Sequence, residues 1–261
     1  ASTPPVRADK EGRMTARFRV YGHRGAAAHH PENTARSFHA AMDDGADALE
    51  TDVRMSRDGE MVIFHDADGA RTCGVDRKII DCSWSEIRTW NAGEGEAPIL
   101  LDEMLETWPD TFINIDVKDA SVEAARRTLD IIAPRKASIG LGSFHRNVAR
   151  FIDESDFGGQ LAFVTHEVVA SRFLPGFLAR RIIRGNAAQI PVAGSGIRLD
   201  EPSFVRRLHA MGCRLDYWTI DDPEEAVRLV RLGADGIVTN DPKAITAALE
   251  AAGLRHGDPS R

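Results

Sequence analysis

No apolar run in this sequence approaches the roughly 20 residues needed to cross a bilayer, and its polar N-terminus has no signal-type apolar core. Cysteine is scarce: Cys73, Cys82 and Cys213 are an odd number without CxxC spacing, which argues against a zinc site. Positive charge is short as well. With 33 Lys and Arg against 40 Asp and Glu, the net charge of −7 leaves no basic field to hold a nucleic-acid polymer, although a local cationic pocket for one phosphate remains compatible. No linker, low-complexity tract or repeat divides the chain. These absences point to a soluble protein without a nucleic-acid partner. Reduced thiols favour a cytoplasmic location, while export, with Cys73 and Cys82 bridging a loop, stays open. What is present is 261 residues, 43% hydrophobic and 28% charged, enough for one domain over 1–261 with a full core.

Short runs rich in Val, Ile and Phe alternate with longer stretches of helical period, the pattern of repeated βα units. Strands are predicted near 18–23, 47–54, 61–65, 111–117, 137–142, 159–164, 186–190, 214–219 and 235–239. Helices are predicted near 34–44, 101–108, 122–133, 146–154, 166–181, 201–211, 223–232 and 242–252. Asp222 and Asp241 stand ahead of Pro223 and Pro242, where proline suits the first helical position, and Gly212 and Gly233 sit where helices should stop. Eight such units in about 250 residues fit an α/β fold of the (β/α)₈ TIM-barrel kind. An open doubly wound sheet would want a glycine-rich phosphate turn after its first strand, and there is none. Residues 66–97 exceed what a βα loop requires and read as a small insertion, after the second strand region, covering the active-site end.

Side chains alternate across a strand, so Glu50 and Asp52 face one way while Leu49, Thr51 and Val53 face the other. The third strand repeats the split, with Asn114, Asp116 and Lys118 opposite Ile113, Ile115 and Val117. If the apolar faces meet the helices, three carboxylates point into the barrel mouth. Carboxylates gathered in a low dielectric cost several kcal/mol unless a cation or protons compensate. An all-oxygen set suits one divalent cation, Mg²⁺ or Ca²⁺. The plainer alternative is a pair of arginine-bound carboxylates at a surface edge. Lys118 is either the partner of Asp116 and a phosphate or a solvated lysine. His23 and His65 each close a predicted strand, and two imidazoles flanking one phosphorus serve as base and acid. Arg24 offers a planar fork of donors for two phosphate oxygens, beside a Gly25 that permits close backbone approach. Asn33 reads as a helix cap, a ligand contact or both. Trp218 places its indole in the core or at the mouth as an apolar wall. The other histidines, His29, His30, His39, His145, His166, His209 and His256, read as structural or surface residues, and Asp221-Asp222 and Asn240-Asp241 as loop and cap residues.

The blocks His23-Arg24-Gly25, Pro31-Glu32-Asn33-Thr34, Gly45-Ala46-Asp47 with Glu50 and Asp52, Asp58-Gly59 and His65-Asp66 occur in a fixed order. Asn114 to Lys118, Ser143-Phe144, Trp218-Thr219 and Asp235 to Pro242 continue it. Together they resemble the glycerophosphodiester phosphodiesterase family, in family order from residue 18 to 245. The resemblance implies a barrel with a small insertion after the second histidine, catalysis by His23 and His65, and a divalent cation on Glu50, Asp52 and a third-strand carboxylate, here Asp116. Many members carry Glu where this chain has Asp116. Asn114 to Lys118, Pro98 to Leu101 and Trp108 to Thr111 also resemble the branch that acts on lysophospholipids as a lysophospholipase D. The implied reaction is metal-dependent hydrolysis of a glycerophosphodiester to an alcohol and glycerol 3-phosphate. The alternative releases a head-group alcohol and lysophosphatidic acid from a lysophospholipid. Attack by water and attack by the glycerol 2-hydroxyl through a cyclic phosphate both remain open. A silent phosphodiester binder would not need both proton-transfer groups, and an amidohydrolase-type barrel would want more histidine ligands. The expected partner is a small phosphodiester or lysophospholipid. Segment 173–183 mixes large apolar groups with arginines and is either an ordinary barrel helix or a weak membrane-surface contact. Oligomeric state is not legible.

Overall fold

The alternating runs resolve into eight parallel strands that meet end to end. The computed structural model describes residues 18–194 and 196–255. Both ends of the expected 1–261 domain, and His256, lie outside the described residues. The strands Arg19–His23, Ala48–Met55, Phe112–Val117, Ile139–Gly142, Gln160–Leu161, Ala187–Ile190, Arg214–Tyr217 and Gly236–Thr239 pair with their neighbours in chain order, and the first pairs with the last. The remaining seam, between the fifth and sixth, is joined at Ala162 and Ala187, where the Phe163 N–H donates to the Ala187 carbonyl at 2.8 Å. This is the expected (β/α)₈ barrel.

Outward-facing strand residues form the core, in two halves. Leu49, Ile113, Ile115 and Leu141 pack with Phe38, Leu101, Met104 and Ala125 of the helices Ala35–Asp43, Leu101–Thr107 and Val122–Ile132. Leu215, Tyr217 and Ile237 pack with Leu208, Leu229 and Leu249 of the helices Pro202–Ala210, Pro223–Leu232 and Pro242–Ala251. Each large apolar side chain buried this way stabilises the fold by roughly 1.5–3 kcal/mol. The inward face differs, because much of its floor is polar. Arg214 Nε lies 2.7 Å from Asp216 Oδ1, the Tyr21 hydroxyl donates to Asp216 Oδ2 at 3.3 Å, and the Gln189 amide donates to Asn114 Oδ1 at 3.1 Å. Pairing of this kind is what allows charge to sit in a dry interior.

Three features depart from the sequence reading. Met61–Ile63 is not a barrel strand: the turn at Asp58-Gly59 folds it back antiparallel on the second strand, Val53 opposite Ile63. The chain therefore runs down again, with the Phe64 N–H on the Asp52 carbonyl at 3.0 Å, and delivers His65 to the level of the carboxylates. The single helix expected at 166–181 is two, Thr165–Phe173 and Gly176–Ile182. Pro175 disfavours the helical conformation at Leu174, which is extended. A two-residue hairpin, Ala193–Gly194 with Ile197–Arg198, was not foreseen. Cys73, Cys82 and Cys213 are free thiols, the favoured of the two cysteine readings.

The insertion at 66–97 carries a hairpin, Asp68–Gly69 with Val75–Lys78, and short helices Ala70–Cys73 and Trp84–Ile87. Its own small core gathers Phe64, Ile79, Cys82, Ile87, Trp90 and Leu100. Among the described residues no helix is long and apolar enough to cross a membrane.

Candidate active site

Register brings the carboxylates together. The second and third strands pair Glu50 with Asn114 and Asp52 with Asp116, so their inward side chains meet at the C-terminal end of the barrel. Glu50, Asp52 and Asp116 line one cavity of about 270 Å³ with His23, Arg24, His65, Lys118 and Trp218. Trp218 thus stands at the mouth, half-buried, with Phe144 edge-on to it at 6.5 Å and Phe163 on the same wall.

Asn33 is the expected site residue that does not line this cavity. It is buried behind Asp52, donates to Asp52 Oδ2 at 3.0 Å and accepts the Thr51 hydroxyl at 2.9 Å. The cap of the following helix is Thr34, whose hydroxyl accepts the Ser37 N–H at 3.3 Å. Asn33 and Arg24 both have left-handed backbones, φ 58° and 53°, a conformation that costs non-glycine residues of order 1–3 kcal/mol. It is held by the Asn33 N–H on the Arg24 carbonyl at 3.0 Å and the Arg24 N–H on the Glu50 carbonyl at 2.9 Å. Gly25, φ 88°, serves packing rather than the cavity: a Cβ there would run into Ser37.

The acids differ in charge balance. Burial and the neighbouring Asp52 push the Glu50 carboxyl well above the usual range. Burial also raises Asp116, even though Lys118 Nζ lies 2.6 Å from its Oδ2. Asp52 is just as buried, but Lys118 at 3.0 Å and Arg24 at 3.1 Å overcome the desolvation and hold it below the usual range. Among the described residues no three of His, Cys, Asp and Glu already converge as an ion shell, since Lys118 bridges two of the acids. The donor set nevertheless fits a hard divalent cation. It is all oxygen, burial and the neighbouring Asp52 make the Glu50 carboxylate costly to ionise without a compensating cation, and Asp116 Oδ1 is buried without a hydrogen-bond partner.

Each histidine is oriented by a side chain that the sequence reading had given no such role. His23 Nδ1 lies 2.7 Å from Asn240 Oδ1, and the Asn240 amide nitrogen donates to Asp221 Oδ2 at 2.8 Å. Asn240 must therefore accept, His23 carries its proton on Nδ1, and Nε2 has a free lone pair. Burial first, and then Arg24, lower the His23 pKa. His65 Nδ1 lies 2.7 Å from Asp66 Oδ1. A hydrogen bond from Arg71 holds Asp66 down to about 2, so Asp66 is an ionised acceptor and Nε2 of His65 is again the free nitrogen. Arg71 also binds Glu32, which binds Arg24 at 2.9 Å. Asn240 and Asp221 followed strand ends, Asp66 adjoined His65 and Glu32 adjoined Asn33. Position alone marked them, and only the fold assigns the hydrogen bonds.

Comparison with known proteins follows the same lines. The family model described as "Glycerophosphoryl diester phosphodiesterase family" matches residues 23–244. The chain is 30% identical over 260 residues to a Mycobacterium tuberculosis protein named "Probable glycerophosphodiester phosphodiesterase 2", covering 93% of this chain and 97% of that one. It is 24% identical over 263 residues to a lysophospholipase D of Rattus norvegicus, covering 86% and 83%. In fold it is similar to a phosphodiesterase of Oleispira antarctica solved in complex with sn-glycerol-3-phosphate, with a TM-score of 0.76, 23% identity and coverage of 88% and 96%.

Proposed function

The chain belongs to the glycerophosphoryl diester phosphodiesterase family and is a phosphoric diester hydrolase; on that premise we propose that it cleaves glycerophosphodiesters to an alcohol and glycerol 3-phosphate with His23 and His65 as the proton-transfer pair. The observation that carries this reading is the two imidazoles with Nδ1 engaged by Asn240 and Asp66, on one cavity with three carboxylates. Arg24 and Lys118 bring positive charge to the non-bridging phosphate oxygens, where negative charge builds during cleavage. His23 is the base: its lowered pKa keeps Nε2 unprotonated, ready to take a proton from the attacking hydroxyl. As the acid, His65 carries a proton on each ring nitrogen: Nδ1–H stays on the ionised Asp66, which stabilises the imidazolium, and the Nε2 proton passes to the leaving alkoxide oxygen, while His23 keeps the proton taken from the nucleophile. These roles hold whether the hydroxyl belongs to water or to C2 of glycerol, the second route passing through a cyclic phosphate. Glu50, Asp52 and Asp116 would hold Mg²⁺ or Ca²⁺, which supplies charge neutralisation at the phosphoryl oxygens.

The test is release of choline and glycerol 3-phosphate from glycerophosphocholine with Mg²⁺, with Ca²⁺ and with chelator. Absence of any alcohol release from glycerophosphodiesters under all three conditions sinks the reading. The lysophospholipase D alternative draws support from the rat relative and from the apolar wall of Phe144, Phe163 and Trp218. It requires a higher kcat/KM for choline release from lysophosphatidylcholine than from glycerophosphocholine. A weak membrane contact draws support from Phe173 and Phe177, 56% and 68% exposed beside Arg180 and Arg181. The wild type should then sediment with anionic vesicles and a Phe173→Ala/Phe177→Ala variant should not. Equal behaviour of the two excludes this contact.

A further inference from the structure

One residue of the insertion touches both halves of the machinery. Arg71, on the short helix Ala70–Cys73, donates from Nε to Asp66 Oδ2 at 2.6 Å. It donates from its two terminal nitrogens to the two oxygens of Glu32 at 2.8 and 2.6 Å. The other Asp66 oxygen accepts from His65 Nδ1 at 2.7 Å. Glu32 Oε1 also accepts from Arg24 at 2.9 Å, and Arg24 Nε lies 3.1 Å from Asp52. A single guanidinium therefore stands between the carboxylate that steers one imidazole and the carboxylate that steers the phosphate-facing arginine. Three separate nitrogens of one plane meet three carboxylate oxygens here, a bidentate geometry on Glu32 that the single ammonium nitrogen of a lysine does not reproduce.

The geometry points to Arg71 as a positioning residue for the phosphodiesterase reaction, locking His65 through Asp66 and Arg24 through Glu32 in one rigid frame. Arg71 touches no substrate in this scheme; it acts through the two carboxylates. The inference rests on the His23–His65 reading of the site. Its energetic signature is distinctive. The Arg71 side chain is half exposed, and an exposed ion pair adds little to stability. Its loss should therefore register in turnover far more than in melting temperature. Charge supports the same arrangement. Burial works against ionising Glu32, but the bonds from Arg71 and Arg24 outweigh it and hold the carboxyl below its usual range. A surface ion pair with no such role predicts that neither stability nor turnover moves. Arg77, which pairs with Glu86 at 3.1 Å in the same insertion, is the matched control.

The experiment measures kcat, KM and melting temperature with glycerophosphocholine and saturating Mg²⁺ for the wild type, Arg71→Ala, Arg71→Lys and Arg77→Ala. Loss of an outer partner of a site residue typically lowers activity about 10- to 100-fold. Arg71→Ala and Arg71→Lys are expected to fall in that range in kcat, with KM changed less than about threefold. Arg77→Ala should match the wild type. In an Asp66→Ala background the Arg71→Ala loss should shrink, because residues acting through one network are not additive. The inference is overturned if the wild type is active and Arg71→Lys keeps its full kcat, whether or not Arg71→Ala folds. It is equally overturned if the Arg71→Ala loss is undiminished in the Asp66→Ala background. A wild type that cleaves no glycerophosphodiester removes the functional reading and this inference together, an outcome distinct from either of the others.

Discussion

Alanine at His65 or His23 is expected to lower kcat by about 10²- to 10⁴-fold, the range that a positioned acid or base contributes, while the melting temperature stays close to that of the wild type. Neither ring belongs to the apolar core; Nδ1 of each is held by one side chain, Asn240 or Asp66, and His23 Nε2 lies 3.8 Å from Glu50 Oε2. Removing a partner should cost less than removing its ring, because the imidazole stays but its tautomer and aim are no longer imposed. Asn240→Ala and Asp66→Asn are therefore intermediate variants. The pH profile adds a sign. Acid protonates the base, so kcat/KM falls on the acid side as His23 gains its proton. Burial and Arg24 lower that pKa, which places the acid limb below the ordinary histidine value of about 6.5. A profile whose acid limb lies above that value, or a His23→Ala variant with unchanged kcat, contradicts the assignment of His23 as base.

Stripping divalent ions should abolish turnover, and Mg²⁺ or Ca²⁺ should restore it. The companion variant, Glu50→Gln, should be inactive with any ion, yet melt higher than the wild type when both are metal-free. The reason lies in linkage. Burial and Asp52 raise the folded-state pKa of Glu50, so the folded protein binds its proton more tightly than the unfolded chain does. A group of that kind makes stability fall as pH rises through its shifted pKa. At neutral pH the metal-free wild type bears that cost and the glutamine variant does not. Below the ordinary glutamate value of about 4.3 the carboxyl is protonated in both states, and the difference should close. Thermal melts across pH, with chelator, measure it. Undiminished turnover in chelator, or a metal-free Glu50→Gln that melts below the wild type at neutral pH, would reject the cation-holding role of these acids.

Much of this site can be read along the chain because strand alternation is a local rule. Glu50 and Asp52, or Asn114 and Asp116, share a face whatever surrounds them, and the apolar residues between them announce which face meets the helices. Caps were legible for the same reason at Asp222 and Asp241, whose side chains accept the N–H groups of Glu224 and Ala244. Pairings that depend on closure were not. Nothing local to Asn240 says that it accepts from His23, 217 positions away in the chain. Nothing local to Met61-Val62-Ile63 says that the strand returns antiparallel, because an apolar run has no direction. The polar floor was missed for a related reason: Arg214 and Asp216 alternate with Leu215 and Tyr217 as a solvated strand edge would, and only closure of the cylinder buries them.

That floor makes the molecule a cup rather than a tube. With Tyr21, Arg214 and Asp216 buried and bonded together across the lower end, a guest on the proposed reading enters head-first and backs out by the same opening. On the proposed reading, whatever differs from one guest to the next is left above the brim, where Phe144 and Trp218 stand, so that the depth of the vessel sets the reaction and its lip the choice of guest.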